Sequence, residues 1–296
     1  MPRVHVIGPV SWNLLVHVPE LPEPRPHTVF AERHHETLGG TSAGKALNLR
    51  RLGVDVTLST LLGDDAAGER VLRELRGAGV QVLARRSTEG TERHANLMDA
   101  RGRRLSVYLT LPEAAPDTTG ECRERQRAAI AAADVVVADL ADHTRAALPA
   151  ARAAGKEVWC DLHDYDGSST FHEEFLAAAD VVFLSDERLA DPEAFVRAQV
   201  AAGKRLVVCT QGARGALAAE RGGELRHVPA AEVPEVVDTN GAGDAFFAGF
   251  LAASLDGAGL EECLHRATLS AAACLASWEL AGAPPAAGES QGLVPA

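Results

Sequence analysis

The stretch Val236-Val-Asp238-Thr-Asn-Gly241-Ala-Gly243-Asp244-Ala-Phe-Phe-Ala-Gly249-Phe-Leu-Ala252 places a short apolar run, a Gly-Ala-Gly turn and an uninterrupted helical pattern in succession. Small residues at a helix start let consecutive backbone N–H groups converge, and the free amides together with the helix dipole favour phosphate oxygens. Asp244 falls in the first helical turn, where a carboxylate beside an anion site is electrostatically awkward. Either it works there as a general base, or it simply complements the positive end of the helix. The motif alone leaves both readings open.

Outward from this stretch, short β-branched runs alternate with Ala/Leu/Arg segments. Val4 to Ile7, Val54 to Leu62, Val135 to Ala138, Val158 to Cys160, Val181 to Leu184 and Leu206 to Cys209 read as strands buried on both faces. Ala43 to Leu52, Ala66 to Gly77, Cys122 to Ala133, Thr144 to Ala154 and Pro192 to Ala201 read as helices. Such alternation predicts a three-layer α/β/α core with a mostly parallel sheet, whose ligands sit beyond the carboxyl ends of the strands. Two excursions break the pattern. Leu14 to Val18 and Thr28 to Arg33 flank a Pro-rich turn, and Ala95 to Met98 and Leu105 to Leu109 flank Asp99-Ala-Arg-Gly102. These four pieces are expected to form a small β-sheet lid over one end of the core, more mobile than the core without substrate. The Ala/Gly/Pro-rich tail after Gly282 reads as an extended wrap.

A second glycine-rich loop, Gly39-Gly-Thr-Ser-Ala-Gly-Lys45-Ala46, nearly matches a P-loop, with Asp139 in the place of a Walker B carboxylate. The match fails because Ala46 stands where a Mg²⁺-holding hydroxyl is needed, and the preceding Ala31 to Thr37 is too polar for a buried strand. A nicotinamide site is excluded in the same way: Gly8-Pro-Val-Ser-Trp-Asn13 after the first strand lacks G-x-G-x-x-G.

The 296 residues carry 29 Lys+Arg against 41 Asp+Glu, a net charge of −12, with 46% hydrophobic residues. That balance argues against a nucleic-acid or anionic-membrane partner and for a small-molecule one. Five cysteines without a C-x-x-C pair suit a reducing compartment, and neither a signal sequence nor a membrane span is visible, so the expected location is cytoplasmic.

The run Asp238 to Phe250 resembles the carboxyl-terminal signature of the ribokinase-like (PfkB) carbohydrate kinases, and Gly39-Gly40 through Arg51-Leu52-Gly53 resembles their amino-terminal signature. Leu62-Gly-Asp-Asp65 with Gly68, and Thr210-Gln-Gly-Ala-Arg-Gly215, fall in the family's order, so the resemblance spans Val4 to Pro285. It implies one kinase domain over residues 1–296, with lid segments at about 13–37 and 92–112 inserted in the core, and transfer of the ATP γ-phosphoryl group to a hydroxyl of a sugar, sugar derivative or nucleoside. By the family's pattern Asp244 takes the proton from the acceptor hydroxyl, and the amides of Gly241, Ala242 and Gly243 stabilise the transferred charge. Asp244→Asn is then expected to keep nucleotide binding and lose at least about a hundredfold in transfer. The resemblance further implies ATP contacts at Thr210, Gly212 and Gly215, and substrate contacts at Asn13, Gly39, Gly40, Thr41 and Gly44. Cofactors would be Mg-ATP, with Asp186 and Glu187 meeting Mg²⁺ through water, and K⁺ at Asp238 and Asn240 with carbonyls near Gly282-Ala283. Some members of the family pair through their lids, which makes a homodimer conceivable.

Three positions depart from the family's pattern. Asn13 stands for an Asp, Gly44 for an Asn, and Arg188 for the carboxylate of Asn-x-x-Glu in Ser185-Asp-Glu-Arg188. They motivate an alternative, a ribokinase-like ligand-binding protein with weak or no catalysis. Lys45 could be a solvated helix residue or a ligand contact, Trp12 a ring against the ligand or a core residue. Arg93, His94, Arg103 and Arg104 could reach an anionic substrate group or be solvated. His34, His35, His143, His163 and His172 form no recognisable catalytic set.

Overall fold

The computed structural model describes residues 1–281. Along them run β1 (Arg3–Ile7), β2 (Ser11–Val18), β3 (Arg33–Gly39), α1 (Thr41–Arg51), β4 (Asp55–Leu62), α2 (Ala66–Gly77), β5 (Gln81–Arg86), β6 (Glu92–Asp99), β7 (Arg104–Thr110), α3 (Glu121–Ala132), β8 (Val135–Ala138), α4 (Asp142–Arg145), α5 (Leu148–Ala153), β9 (Glu157–Asp161), α6 (Glu173–Ala178), β10 (Val181–Ser185), α7 (Pro192–Ala201), β11 (Leu206–Thr210), β12 (Ala216–Glu220), β13 (Arg226–Val228), α8 (Ala242–Leu255) and α9 (Leu260–Leu275).

A nine-stranded sheet has the order β13-β12-β11-β10-β9-β8-β1-β4-β5 and is parallel except for β12 and β13. Its continuous apolar runs divide between two cores by strict alternation. Val135 and Val137, Val181 and Phe183, and Leu206 and Val208 face the core under α1, α2, α8 and α9; Val136 and Ala138, Val182 and Leu184, and Val207 and Cys209 face the core under α3, α5, α6 and α7. This is the ribokinase-like architecture that the sequence suggested. Helix α8 is buried almost all round, which its uninterrupted apolar stretch demands, and it lies so close to α9 that a Cβ at Gly249 would meet Ser270 Oγ at 2.3 Å.

The separate small sheet has the order β3-β2-β6-β7, with β2 and β6 parallel and the outer pairs antiparallel. One face presents Asn13, Glu92, His94, Asn96, Arg104, Ser106 and Tyr108 to a cleft above the large sheet. On the other face Leu14, Ala95 and Val107 lie in register, as do Val16, Leu97 and Leu105.

Two expectations change. The strand expected over Thr28 to Arg33 is β3, which begins at Arg33 and runs through the polar segment. As an edge strand with only its last two residues buried, it needs no apolar run. The helix expected over Thr144 to Ala154 is two short ones, the second opening at Leu148-Pro149, where Pro is accommodated because a first-turn N–H has no intrahelical partner. The tail after Gly282 lies outside the described residues. Among those described no disulfide forms, and no helix is long and apolar enough to cross a membrane.

Candidate active site

In the large sheet β1 is flanked by β4 on one side and β8 on the other, so the chain's direction of travel across the sheet reverses there, and a crevice opens beyond the strand ends. Asp139 directly follows β8, Asp161 ends β9, Ser185 ends β10 and Thr210 ends β11. The first turns of α1 and α8 meet over this row. Gly8, after β1, lets the pieces close, since a Cβ there would lie 2.3 Å from Ser42 Oγ and 2.8 Å from Asp139 Cβ.

Asp244 sits in the first turn of α8 with 13% of its side chain exposed, in a cleft of about 1350 Å³. Its Oδ1 accepts from Thr41 Oγ1 at 2.5 Å and lies 3.2 Å from Lys45 Nζ. Thr41 and Lys45 are one turn apart on α1, so they share a face, and Lys45 Nζ donates to Thr41 Oγ1 at 2.5 Å. The same fully buried ammonium donates to Asp139 Oδ1 at 2.8 Å and reaches Asp161 Oδ2 at 3.3 Å. Asp139 also accepts from Ser42 Oγ at 2.7 Å. Gly44 admits Asp244 to this group: a Cβ there would stand 2.5 Å from Asp244 Oδ2 and 2.9 Å from its Cβ.

The electrostatics follow from burial and these neighbours. Burial pushes the Asp244 carboxyl above the usual carboxylate range, against the opposing pull of the Lys45 charge and the Thr41 bond. For Asp161 burial also works against ionisation, but His163, Lys45 and the His163 amide outweigh it and hold the carboxyl at about 2. Burial opposes the charge on Lys45 too, and Asp139, Asp161 and Asp244 more than reverse that, raising it above the ordinary lysine range. His163 lines the cleft 3.7 Å from Asp161 with its backbone at φ 51°, a left-handed conformation rare outside glycine, held by its amide's 3.0 Å bond to Asp161 Oδ1.

Gly241, with φ 82°, caps α8, and Gly241 and Gly243 line the cleft. First-turn amides have no intrahelical acceptor, and no atom lies within 4 Å of a Cβ placed on Gly243, so this end of the helix is open to a ligand. Ala242 forms part of the same turn without facing the cleft. Arg104 of the small sheet reaches across and donates to Asn240 Oδ1 at 3.4 Å, and Gly102 packs on Thr239. Thr210 and Glu187 line the cleft; Gly212 and Gly215 shape the turn behind it, where a Cβ on Gly215 would strike Val228 O.

The structure therefore brings Asn13, Gly40, Thr41, Thr210, Glu187, Asn240, Gly241, Gly243 and Asp244 to one cleft. Gly39 and Gly40 turn their open sides toward the protein: a Cβ would meet Asn13 Nδ2 at 2.0 Å and Pro9 O at 2.7 Å respectively. Gly44 faces Asp244 rather than the cleft, and the Thr41 hydroxyl is engaged by Asp244 and Lys45. Asp186 turns away to Arg214 and Gln211, leaving Glu187 as the member of that pair that fits a Mg²⁺ bound through water. Asp238 is buried with Oδ1 accepting from the Asn240 amide, and the Asn240 side-chain oxygen already faces the Arg104 guanidinium. That charge does not fit a K⁺ at Asn240, and the carbonyls expected near Gly282-Ala283 lie outside the described residues.

Trp12 turns to the far face of the small sheet, under Arg70, and Arg93 pairs with Glu36 there. Arg103 binds Asp99, and Arg188 pairs with Asp164 and Asp166. Lys45 is neither solvated nor exposed to a ligand. Sequence reasoning passed over Asp161, set His163 among histidines without a recognisable catalytic set, and gave Asp139 only as an imitation Walker B residue. Acidic residues directly after buried parallel strands were the signal that could have found the two carboxylates.

The pfkB family carbohydrate kinase model matches residues 1–285. The chain is 36% identical over 290 residues to an acarbose 7(IV)-phosphotransferase of Actinoplanes sp., covering 95% of this chain and 94% of that protein. It is 31% identical over 274 residues to an ATP-dependent ribose-1-phosphate kinase of Halopiger xanaduensis, covering 90% of each. Among solved structures, a microbiome-derived acarbose kinase superposes with a TM-score of 0.83 at 30% identity over 93% of each chain. A ribokinase of Arabidopsis thaliana, solved with ribose and ATP, does so with a TM-score of 0.76 at 22% identity over 94% of each, a likeness of fold.

Proposed function

The chain belongs to the pfkB family of carbohydrate kinases and is a phosphotransferase with an alcohol group as acceptor; on that premise we propose that it moves the γ-phosphoryl group of ATP to a hydroxyl of a sugar derivative, with Asp244 as general base. The observation that carries this reading is the convergence of Asp244 with the open first turn of α8 in one cleft. Oδ1 of Asp244 is committed to Thr41 and Lys45, so Oδ2 accepts the acceptor's proton. A carboxylate far less basic than an alkoxide takes that proton late, as the O–P bond forms, so positioning and electrostatics supply most of the rate. Gly241 and Gly243, which line the cleft, would offer their amides to the transferred group, with Ala242 completing the turn, and Arg104 adds a cation from the small sheet, which acts as the lid. Glu187, which lines the cleft, would orient the waters of a Mg²⁺ bound with ATP, whose charge would neutralise the phosphates. We read residues 1–296 as one kinase domain with lid segments at about 13–37 and 92–112, working in the cytoplasm, where ATP is supplied. The assembled base disfavours the weak-catalysis alternative.

For the acceptor, we favour an acarbose-like oligosaccharide derivative over a free monosaccharide. Two similar proteins are named for acarbose. The lid side of the cleft offers hydroxyl-seeking groups, including Asn13 Oδ1 and Asn96 Oδ1, which are buried without a protein partner. The in-register apolar face of the lid, Leu14, Ala95, Val107, Val16, Leu97 and Leu105, would suit a homodimer, since a twofold contact matches one patch with itself.

The test is ADP release from Mg-ATP, with and without K⁺, across acarbose, maltose, pentoses, hexoses, sugar phosphates and nucleosides. Acarbose-dependent release is expected, and Asp244→Asn should cut it by at least about a hundredfold while still binding nucleotide. Turnover by the mutant comparable to the parent would remove Asp244 from the role.

A further inference from the structure

Lys45 is the largest fully buried charged side chain among the described residues. It is wholly buried, and it touches Thr41 at 2.5 Å, Asp139 at 2.8 Å, Asp244 at 3.2 Å and Asp161 at 3.3 Å. We propose that Lys45 is a positioning residue for phosphoryl transfer, whose ammonium fixes the Asp244 carboxylate in its proton-accepting orientation over the side chain that Gly44 lacks. The inference rests on Asp244 being the base.

Three observations support it. Lys45 and Thr41 both hold Oδ1 of Asp244, so the free oxygen is Oδ2, and Oδ2 occupies the volume a Cβ on residue 44 would fill. The loss of the side chain at 44 and the lysine at 45 therefore act together: one makes room, the other anchors. Next, one buried ammonium faces three carboxyl groups, a poor arrangement if stability were its only purpose. Finally, the network opens to the ligand at one end, because Asp161 and His163 line the cleft while Asp139 and Lys45 do not.

The charged and titratable groups around Asp244 are Lys45 from α1, Asp139 and Asp161 from the strand ends, and His163 beyond β9. Across the cleft stand Glu187 and, from the small sheet, Arg104, Glu92 and His94. Of these Lys45 is the cation in direct contact with the base. Its removal leaves the carboxylate facing burial and like charges, which makes protonation easier.

Rapid-quench single turnover of Mg-ATP with acarbose, or with another sugar of the panel if that is the one the wild type accepts, followed from acid to neutral pH, tests this. Lys45→Met should lower the transfer rate by tenfold or more, on the order of what a misplaced base costs, with KM for ATP little changed. It should also move the acid limb of the rate profile up by about one pH unit. Asp161→Asn removes a like charge and should move that limb the other way, and it serves if Lys45→Met does not fold. A limb that stays in place in the folded variant overturns the proposal, as does a rise in KM that accounts for the whole effect. Asp244→Asn separates the two levels: turnover retained there overturns the general-base reading itself. Turnover lost there, with an unmoved limb in Lys45→Met, overturns only the role of Lys45.

Discussion

Helix α1 starts at Gly40 with φ 89° and helix α8 at Gly241 with φ 82°, each after a glycine-rich loop and each with its first turn at the same crevice. In α1 that turn is committed to the protein: Thr41 and Lys45 hold Asp244, and Ser42 holds Asp139. In α8 the corresponding turn brings Gly241, Gly243 and Asp244 to the cleft, with open space over Gly243. Two loops of similar composition thus differ in what they meet, one holding the Asp244 carboxylate and the other, in the function proposed above, left to receive the anion. Glycine content and helix dipole are common to both, so what separates them is which side chains follow the glycines and what lies opposite.

The sharpest way to break this comparison is the same substitution in both first turns. Gly44→Ala places a methyl 2.5 Å from Asp244 Oδ2, and displacing the base by even about 1 Å should cost on the order of a hundredfold in transfer. Gly243→Ala meets no atom, so its thermal stability should match or slightly exceed the parent's, as helix propensity favours Ala by up to about 1 kcal/mol. Its kinetic effect should be smaller than that of Gly44→Ala, since the backbone amide at 243 is kept and no side chain is displaced. Steady-state kinetics and melting curves on the two proteins decide it, and equal kinetic damage from both would erase the division of labour.

A smaller effect is expected from Arg104→Gln, which withdraws the cation that the small sheet lends to the open turn. Transfer should fall about tenfold, the loss of one charge-assisted contact, with the melting temperature unchanged because Arg104 is exposed. An unaltered rate would leave the α8 turn working without the lid's charge.

The anchoring side also has a pH signature. Asp161 is held at about 2 in the folded chain against an unfolded value of about 4, so its contribution is present above pH 4 and is lost as pH falls through 2. Asp161→Asn should therefore flatten the loss of stability between those limits by up to about 2 kcal/mol, as read from urea unfolding at stepped pH. Asp244, raised by burial, has the opposite sign: its ionisation costs stability as pH rises, so Asp244→Asn should be at least as stable as the parent at neutral pH.

Much of this was legible beforehand. The six β-branched runs became strands because a parallel sheet buried on both faces requires continuous apolar sequence, and the alternation of Val181, Val182, Phe183 and Leu184 between two cores needs only the period of two. The Gly-Ala-Gly turn as a helix start with Asp244 in its first turn was equally visible, since small residues before an uninterrupted apolar stretch mark such a start in the local sequence. Strand β3 was not, because an edge strand can be polar and leave no period to read. Lys45 was not either: on sequence it is one lysine in a helix, with nothing to say whether its face meets water.

Sequence by itself determined the layers, the six buried strands and the glycine-rich start of α8, because these depend on contacts and preferences within a few residues of chain. Only the tertiary structure decided that Lys45 sits among Asp139, Asp161 and Asp244, 94 to 199 residues further along, and that Gly44 makes room for a carboxylate rather than for a ligand. The sign and strength of a charge's effect depend on distance and burial, and both are set by how α1 and α8 close over the sheet.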